Sequence, residues 1–415
     1  MTATPLPRSS RSGHRPLSDY ALAGESSRRA VEAGLAAAEW YHTDVPRKQM
    51  KALMTRTDGP AIRDTAIWAV LHVTLAAVAA WLSWTGHPWL SLPVWLAYGV
   101  LYGSASDSRW HECGHGTAFR TAWMNNWVYQ VASFQVMRNP VSWRWSHARH
   151  HTDTYIVGRD AEIAWMHPVS LMLKGLAYIG FVDAWMSLKV LARNAMGTIS
   201  ADERDYIPES EWPHAVRVAR IHMAIYAATA LASLGLLLGG QGWRALIPLL
   251  VIGGPRIYGC WHMVMTGFLQ HGGLAEDVND HRLNTRTVYM NPVSRWLYWN
   301  MNYHVEHHMF PMVPYHALPA LHEAIKHDLP PPNTSIRQAY GEMWRAVMRQ
   351  RREPGYYHRR ELPGGAKAYL ERLHQEVPER DGPWGAMAGA TGAENATEAP
   401  GRSGPEGLDA IREGA

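Results

Sequence analysis

The chain has 415 residues, 47% of them hydrophobic, and a formal charge of +4. Its mean hydropathy is nonetheless slightly negative, so the apolar residues must be gathered into a few segments. Basic residues are interleaved with acids and apolar runs, which excludes a nucleic-acid footprint, and two cysteines, Cys113 and Cys260, are too few for a disulfide framework or an in-chain iron–sulfur domain.

Residues 1–28 are rich in Arg, Ser and Pro, lack the apolar core of a secretory leader, and read as disordered or loosely helical. Residues 26–40 have helical composition suited to a membrane surface. Residues 66–84 form the first long apolar run, broken at 85–88, and 89–105 form a second, so the two predict a helical hairpin across a bilayer. A polar stretch, 107–168, follows. Residues 170–192 are apolar but carry Lys174, Asp183 and Lys189, which predicts an interfacial rather than a spanning segment. The third run is 221–238. The fourth, 243–269, contains Gly253, Gly254, Pro255 and Arg256, which should kink it. Residues 29–375 thus read as one integral-membrane domain and 376–415, rich in Gly, Ala, Glu and Pro, as a disordered tail.

Charge tests this four-span topology. The turns 85–88 and 239–242 hold no Lys or Arg, whereas the longer segments on the other side hold almost all of them. By the positive-inside rule both termini lie in the cytoplasm. Twenty Trp against five Phe fit rings placed at the membrane–water boundary.

Three histidine clusters stand on that cytoplasmic side. They are His111 and His115 (HxxxH), His147, His150 and His151 (HxxHH), and His304, His307 and His308 (HxxHH). On a helix, positions i, i+3 and i+4 share a face, so each cluster aims its imidazoles at one point. Eight imidazoles from three segments exceed a mononuclear site and suit two metal ions. Two other readings compete. His111-Glu112-x-x-His115 also matches a zinc-peptidase motif, with Glu112 as the base. A metal transporter or store is the other, although transport sites usually lie within the spans and not beyond their ends. Cys113, inside the first cluster, reads as a small apolar filler. Arg256, a charge within a span about 22 Å along the helix from His271, could bind a substrate carboxylate, snorkel to the interface, or satisfy the kinked backbone. Arg138, Arg144 and Arg149 form a basic face near the second cluster, suited to an acidic carrier, an anionic substrate group, or solvent.

The segments HECGHGTAF (111–119), WSHARHH (145–151) and NYHVEHHMFPMVPYHALPALHE (302–323) resemble the three histidine boxes of the membrane-bound fatty acid desaturase and hydroxylase superfamily. The likeness runs over about residues 66–325. It implies an all-α fold, a four-helix transmembrane domain with a cytoplasmic helical cap enclosing a His-rich dimetal site. It also implies a ninth ligand, His271, just after the fourth span, and two Fe ions as cofactor. The stearoyl-type members carry an Asn four residues before that histidine, where this chain has Gly267. Acids just after the second box are common in the family, which favours Asp160 and Glu162 over Glu112, Asp153 and Glu306 as partners that orient the ligands. The resemblance further implies O2 as co-substrate, and desaturation or hydroxylation of an unactivated C–H position. The substrate would be a fatty acyl chain or lipid or, in some relatives, a small polar metabolite. Electrons would come from a ferredoxin or similar carrier with its reductase, because no donor domain is fused to the chain.

Overall fold

The computed structural model describes residues 17–366 except 23, 37, 167–168, 354 and 365. Of the segment expected to be disordered, residues 17–28, the described ones are folded. A turn at Leu17–Tyr20 and helix α1 (Glu25–Glu32) dock because Tyr20 packs with Tyr155, Val157 and Ile163 and donates to Glu276 at 3.1 Å. The calls for disorder over 1–16 and 376–415 fall outside the described residues.

All described elements are helical, apart from two isolated bridges, Thr287 with Tyr303 and Val288 with Asn333. Helix α2 (Arg47–Leu53) precedes α3 (Gly59–Trp84). Asp58 ties the start of α3 to the next layer by accepting from the Thr121 amide at 2.9 Å and its hydroxyl at 2.8 Å. Pro88 opens α4 (Pro88–Val100), which runs through a π-turn (Leu101–Ala105) into α5 (Ser106–Gly114). Helices α6 (Ala122–Gln135) and α7 (Pro140–Thr152) follow, the second capped by the Asn139 side chain on the Val141 amide. Next come α8 (Leu171–Ala177), α9 (Phe181–Ala195), α10 (Ala201–Tyr206) and α11 (Trp212–Leu238).

The expected fourth span is broken rather than kinked. It becomes a turn at Gly242–Leu246, then α12 (Ile247–Val251), α13 (Gly254–Tyr258) and α14 (Trp261–His271). Gly253 adopts φ +83° at the first break, a conformation that glycine enters freely. The pieces lie directly against α4. A Cβ at Gly259 would sit 1.8 Å from the Gly99 carbonyl oxygen, so the two backbones touch, as small residues permit between membrane helices. The remaining helices, α15 (His281–Asn284), α16 (Pro292–Leu297), α17 (His304–Met309), α18 (Leu318–Ile325) and α19 (Ile336–Gln350), belong to the polar side.

By length and composition, α3 and α11 can cross a bilayer, and the pair α8–α9, bent by 81°, is either a broken span or a re-entrant loop. The expectation that 170–192 does not span is therefore open to a broken or re-entrant crossing. Helices α3, α4 and α11 expose Val70, Val73, Leu90, Leu231 and Leu238, apolar surface that calls for a lipid partner. Trp81, Trp84, Trp89 and Trp243 are exposed around the two short turns, as an aromatic belt would be. Both cysteines are buried, in line with inert thiols.

Candidate metal centre

Each box is a helix or the continuation of one, and the spacing works as the periodicity requires. Helix α5 presents His111 and ends at His115, α7 presents His147, His150 and His151, and α17 presents His304, His307 and His308. His271 is the last residue of α14. All nine come together, in two groups. His111, His115, His147, His151 and His307 form one; His150, His271, His304 and His308 form the other. Within each group the ligand atoms lie within 4.8 Å of one another.

The Nε2 atoms of His115 and His147 are 3.1 Å apart, those of His147 and His151 3.2 Å, and those of His151 and His307 3.2 Å. In the second group the Nε2 atoms of His304 and His308 are 3.1 Å apart. Metal–imidazole bonds of about 2.0–2.1 Å place ligand nitrogens about 3.0–3.4 Å apart, so the donor set fits a metal ion in each group. Burial and the neighbouring imidazoles hold His115, His147, His151, His271, His304, His307 and His308 far below the ordinary histidine pKa. His111 falls to about 3, by burial and then by His150. Neutral rings offer lone pairs, as metal ligands must. The Nε2 atoms of His111 and His271 are buried without any hydrogen-bond partner among the described residues, which the same fit explains.

The groups that orient these rings are partly the expected ones. Glu162 meets His147 Nδ1 at 3.0 Å and Asp160 meets His150 Nδ1 at 2.8 Å. Burial opposes charge on His150 most strongly, yet Asp160 raises its pKa above the ordinary value. Glu112 is fully buried, with Oε1 3.6 Å from His307 Nδ1 and 3.8 Å from His111 Nδ1. It accepts from the Tyr315 amide at 3.1 Å and the Thr117 hydroxyl at 3.3 Å. Burial pushes Glu112 up to about 8 and Glu162 up to about 7, and a cation in the adjacent group would favour their ionised forms.

Two expected acids do other work. Glu306 accepts from the Thr287 hydroxyl at 2.5 Å and pairs with His322, because its side chain leaves α17 away from the ligand face. Asp153 holds Arg159 at 3.0 Å. Residues missed in the sequence complete the frame. His271 Nδ1 donates to the Asn284 carbonyl at 2.9 Å, and His308 Nδ1 meets the Thr154 hydroxyl at 3.2 Å. Tyr155, at φ +58°, stacks on His271 with ring centroids 4.7 Å apart. Asn284 and Thr154 lie 13 and 154 residues from their histidines, so no local spacing could reveal them.

Arg256 is completely buried and paired with Asp183 of α9, while its Nε donates to the Val136 carbonyl at 3.3 Å. Both partners lie outside the broken span, on α9 and at the end of α6, so the charge is committed to neighbouring elements within the protein. The basic face near the second box is also committed. Arg138 lies over Trp110 at 4.5 Å, Arg144 over Tyr129 at 4.8 Å, and Arg149 pairs with Asp205 at 2.8 Å. Arg109 is wholly buried among Trp68, Trp296 and Trp299, 4.8–5.2 Å from their rings.

A helical protein with buried, all-imidazole sites for two metal ions is the class this geometry defines. The chain belongs to the fatty acid desaturase family, whose model matches residues 87–340. It is 33% identical over 95 residues to an sn-1 acyl-lipid omega-3 desaturase (ferredoxin) of Synechocystis, covering 23% of this chain and 24% of the relative. It is 29% identical over 118 residues to an sn-1 oleoyl-lipid 12-desaturase of Arthrospira platensis, covering 27% and 32%. Over a longer stretch of 258 residues it is 25% identical to an omega-6 fatty acid desaturase, endoplasmic reticulum isozyme 1, of Glycine max, covering 55% of this chain and 65% of the relative.

Proposed function

We propose that the chain is an O2-dependent diiron oxidoreductase that desaturates a fatty acyl chain or lipid. The observation that carries this reading is the division of nine histidines into two adjoining groups in a chain of the fatty acid desaturase family. Imidazole suits iron, zinc, copper and nickel alike, so iron is assigned by family. Hydroxylation is the neighbouring outcome. Its balance differs only in whether the substrate loses a second hydrogen or gains oxygen.

In desaturation one turnover removes two hydrogens from adjacent carbons and reduces O2 to two waters. It draws two protons and two electrons from outside the substrate. Two bound irons would supply O2 activation. The chain's own contribution is to hold nine imidazoles in place, with Glu162, Asp160, Glu112, Thr154 and the Asn284 carbonyl setting ring orientation, and to keep solvent out of a buried centre. A ferredoxin or similar carrier, with its reductase, supplies the electrons. The zinc-peptidase reading is disfavoured by Glu112, which is enclosed by Thr117 and Tyr315 and faces other histidines, where no water could be activated for a peptide.

The reading also takes α4 with its π-turn and the α12–α14 series as the second and fourth crossings. Both termini and the metal centre then face the cytoplasm. Purified protein should hold about two irons, as read by elemental analysis. With O2, reductant and a lipid extract, mass spectrometry should show a product short of two hydrogens. A product with one added oxygen would shift the reading to hydroxylation, and turnover only of a small polar metabolite would replace the lipid substrate.

A further inference from the structure

An externally reduced centre needs a place for its donor, and the basic face nearest the second box is already committed to Trp110, Tyr129 and Asp205. Helix α2 offers another. Its sequence, RKQMKAL, carries three cations and no acid. Arg47, Lys48 and Lys51 are exposed, and among the described residues none of them makes an ion pair. Met50 and Leu53, on the opposite side, pack on the apolar cluster that holds Val305 and Met309 of α17. The cationic face thus points away from a cluster that also includes the apolar side of the third box.

Two features separate α2 from a membrane-binding helix. Arg47, Lys48, Gln49, Lys51 and Ala52 are exposed with no aromatic among them. On α19, by contrast, exposed Trp344 and Met348 stand among Arg337, Arg345 and Arg352, the mixture of apolar and basic groups that suits a lipid interface. A row of rings also leads inward just before α2. Trp40 stacks on His281 at 4.1 Å and 7°, and His281 lies 5.1 Å from the ring of His308. Tyr41, the next residue after Trp40, belongs to the cluster on which α2 packs.

We propose that the cationic face of α2 is the docking surface for a soluble, acidic, one-electron carrier protein, with the Trp40–His281–His308 stack as the way in. This rests on the reading of the centre as one reduced from outside. Each turnover would oxidise two reduced carriers, one electron apiece, and the charge complementarity would act mainly on encounter rate and specificity.

The test uses the full chain in nanodiscs of phosphatidylcholine, with a plant-type [2Fe–2S] ferredoxin as probe. The double variant K48E/K51E should bind oxidised ferredoxin about tenfold or more weakly at low salt. The difference should shrink as salt is raised. Turnover driven by dithionite should be unchanged. Unaltered ferredoxin affinity would overturn the proposal, and so would a loss seen only in nanodiscs containing phosphatidylserine, which would assign α2 to anionic lipid. Wild-type protein inactive with both dithionite and ferredoxin would instead overturn the reading of the centre. In a second arm, Trp40→Leu should slow reduction of the metal centre at saturating ferredoxin without changing affinity or metal content, and Trp40→Phe should restore much of the rate. Equal rates in all three proteins would remove the ring stack from the route.

Discussion

The two histidine groups are built by different means. The five-histidine group draws on all three boxes and is braced by carboxylates, Glu162 on His147 and Glu112 beside His307 and His111. In the four-histidine group, among the described residues, only His150 has a carboxylate partner, Asp160. His271 leans on a backbone carbonyl and His308 on a hydroxyl. A ring held by a buried carboxylate keeps its orientation and gains basicity toward a metal. A ring held by a carbonyl or hydroxyl depends more on how well the surrounding backbone is fixed. The difference teaches that the second group's integrity is delegated to the loop after α7 and to the end of α15.

Ligand removal is the largest perturbation available. His307→Ala in the first group and His150→Ala in the second should each abolish turnover and lower iron content to about half, as measured by elemental analysis and product formation. Full activity in either variant would break the comparison at its root. Next, Glu162→Gln and Asp160→Asn should each cost about 10–100-fold in activity or metal affinity, while Thr154→Val should cost less than either. Equal losses in all three would show that charge on the orienting group does not matter.

The backbone support of the second group can be tested at a distance. Arg286 donates to the Leu269 and Gly272 carbonyls at 2.9 and 3.0 Å, clamping the end of α14 that carries His271, and Glu342 holds Arg286 at 3.0 Å. Glu342→Gln leaves a buried guanidinium unpaired. It should lower stability by about 2–4 kcal/mol in thermal or denaturant unfolding and weaken the second group more than the first. The same carboxylate sets a pH dependence. Burial opposes its ionisation, but the hydrogen bond from His358 and the guanidiniums of Arg286 and Arg360 outweigh burial and hold its pKa well below the usual range. Its contribution to stability is therefore complete above the ordinary carboxylate pKa and fades as pH falls below it. Unfolding midpoints followed into acid should fall more steeply for the native chain than for Glu342→Gln.

The boxes were legible because a 3.6-residue period converts spacing directly into direction. Eight of the nine clustered histidines could be read from i, i+3 and i+4 alone, and the ninth from its place relative to a family pattern. The apolar runs revealed α3 and α11 by their length alone. What stayed hidden depends on distant pairs or on packing. Arg149 finds Asp205 and Arg138 finds Trp110, so a face that reads as basic in sequence is spent in the fold. Glu306 sits among three ligands in sequence but serves His322. The fourth apolar run carried glycine and proline signals for one kink, yet it breaks at Gly253 and again at Gly259, where the backbone lies against Gly99.

The π-turn at Leu101–Ala105 carries a consequence for how such a chain can change. It accommodates one more residue than an ideal α-helix would, between a stretch that faces lipid and one that faces metal. Each residue of an α-helix rotates the next by about 100°, so deleting a residue from the regular helix upstream would swing His111 and His115 by roughly a quarter turn, whereas deleting one within the π-turn would only tighten it to an α-helix. The hydrophobic length upstream can drift with bilayer thickness only if that wide turn is kept as a clutch between the two halves.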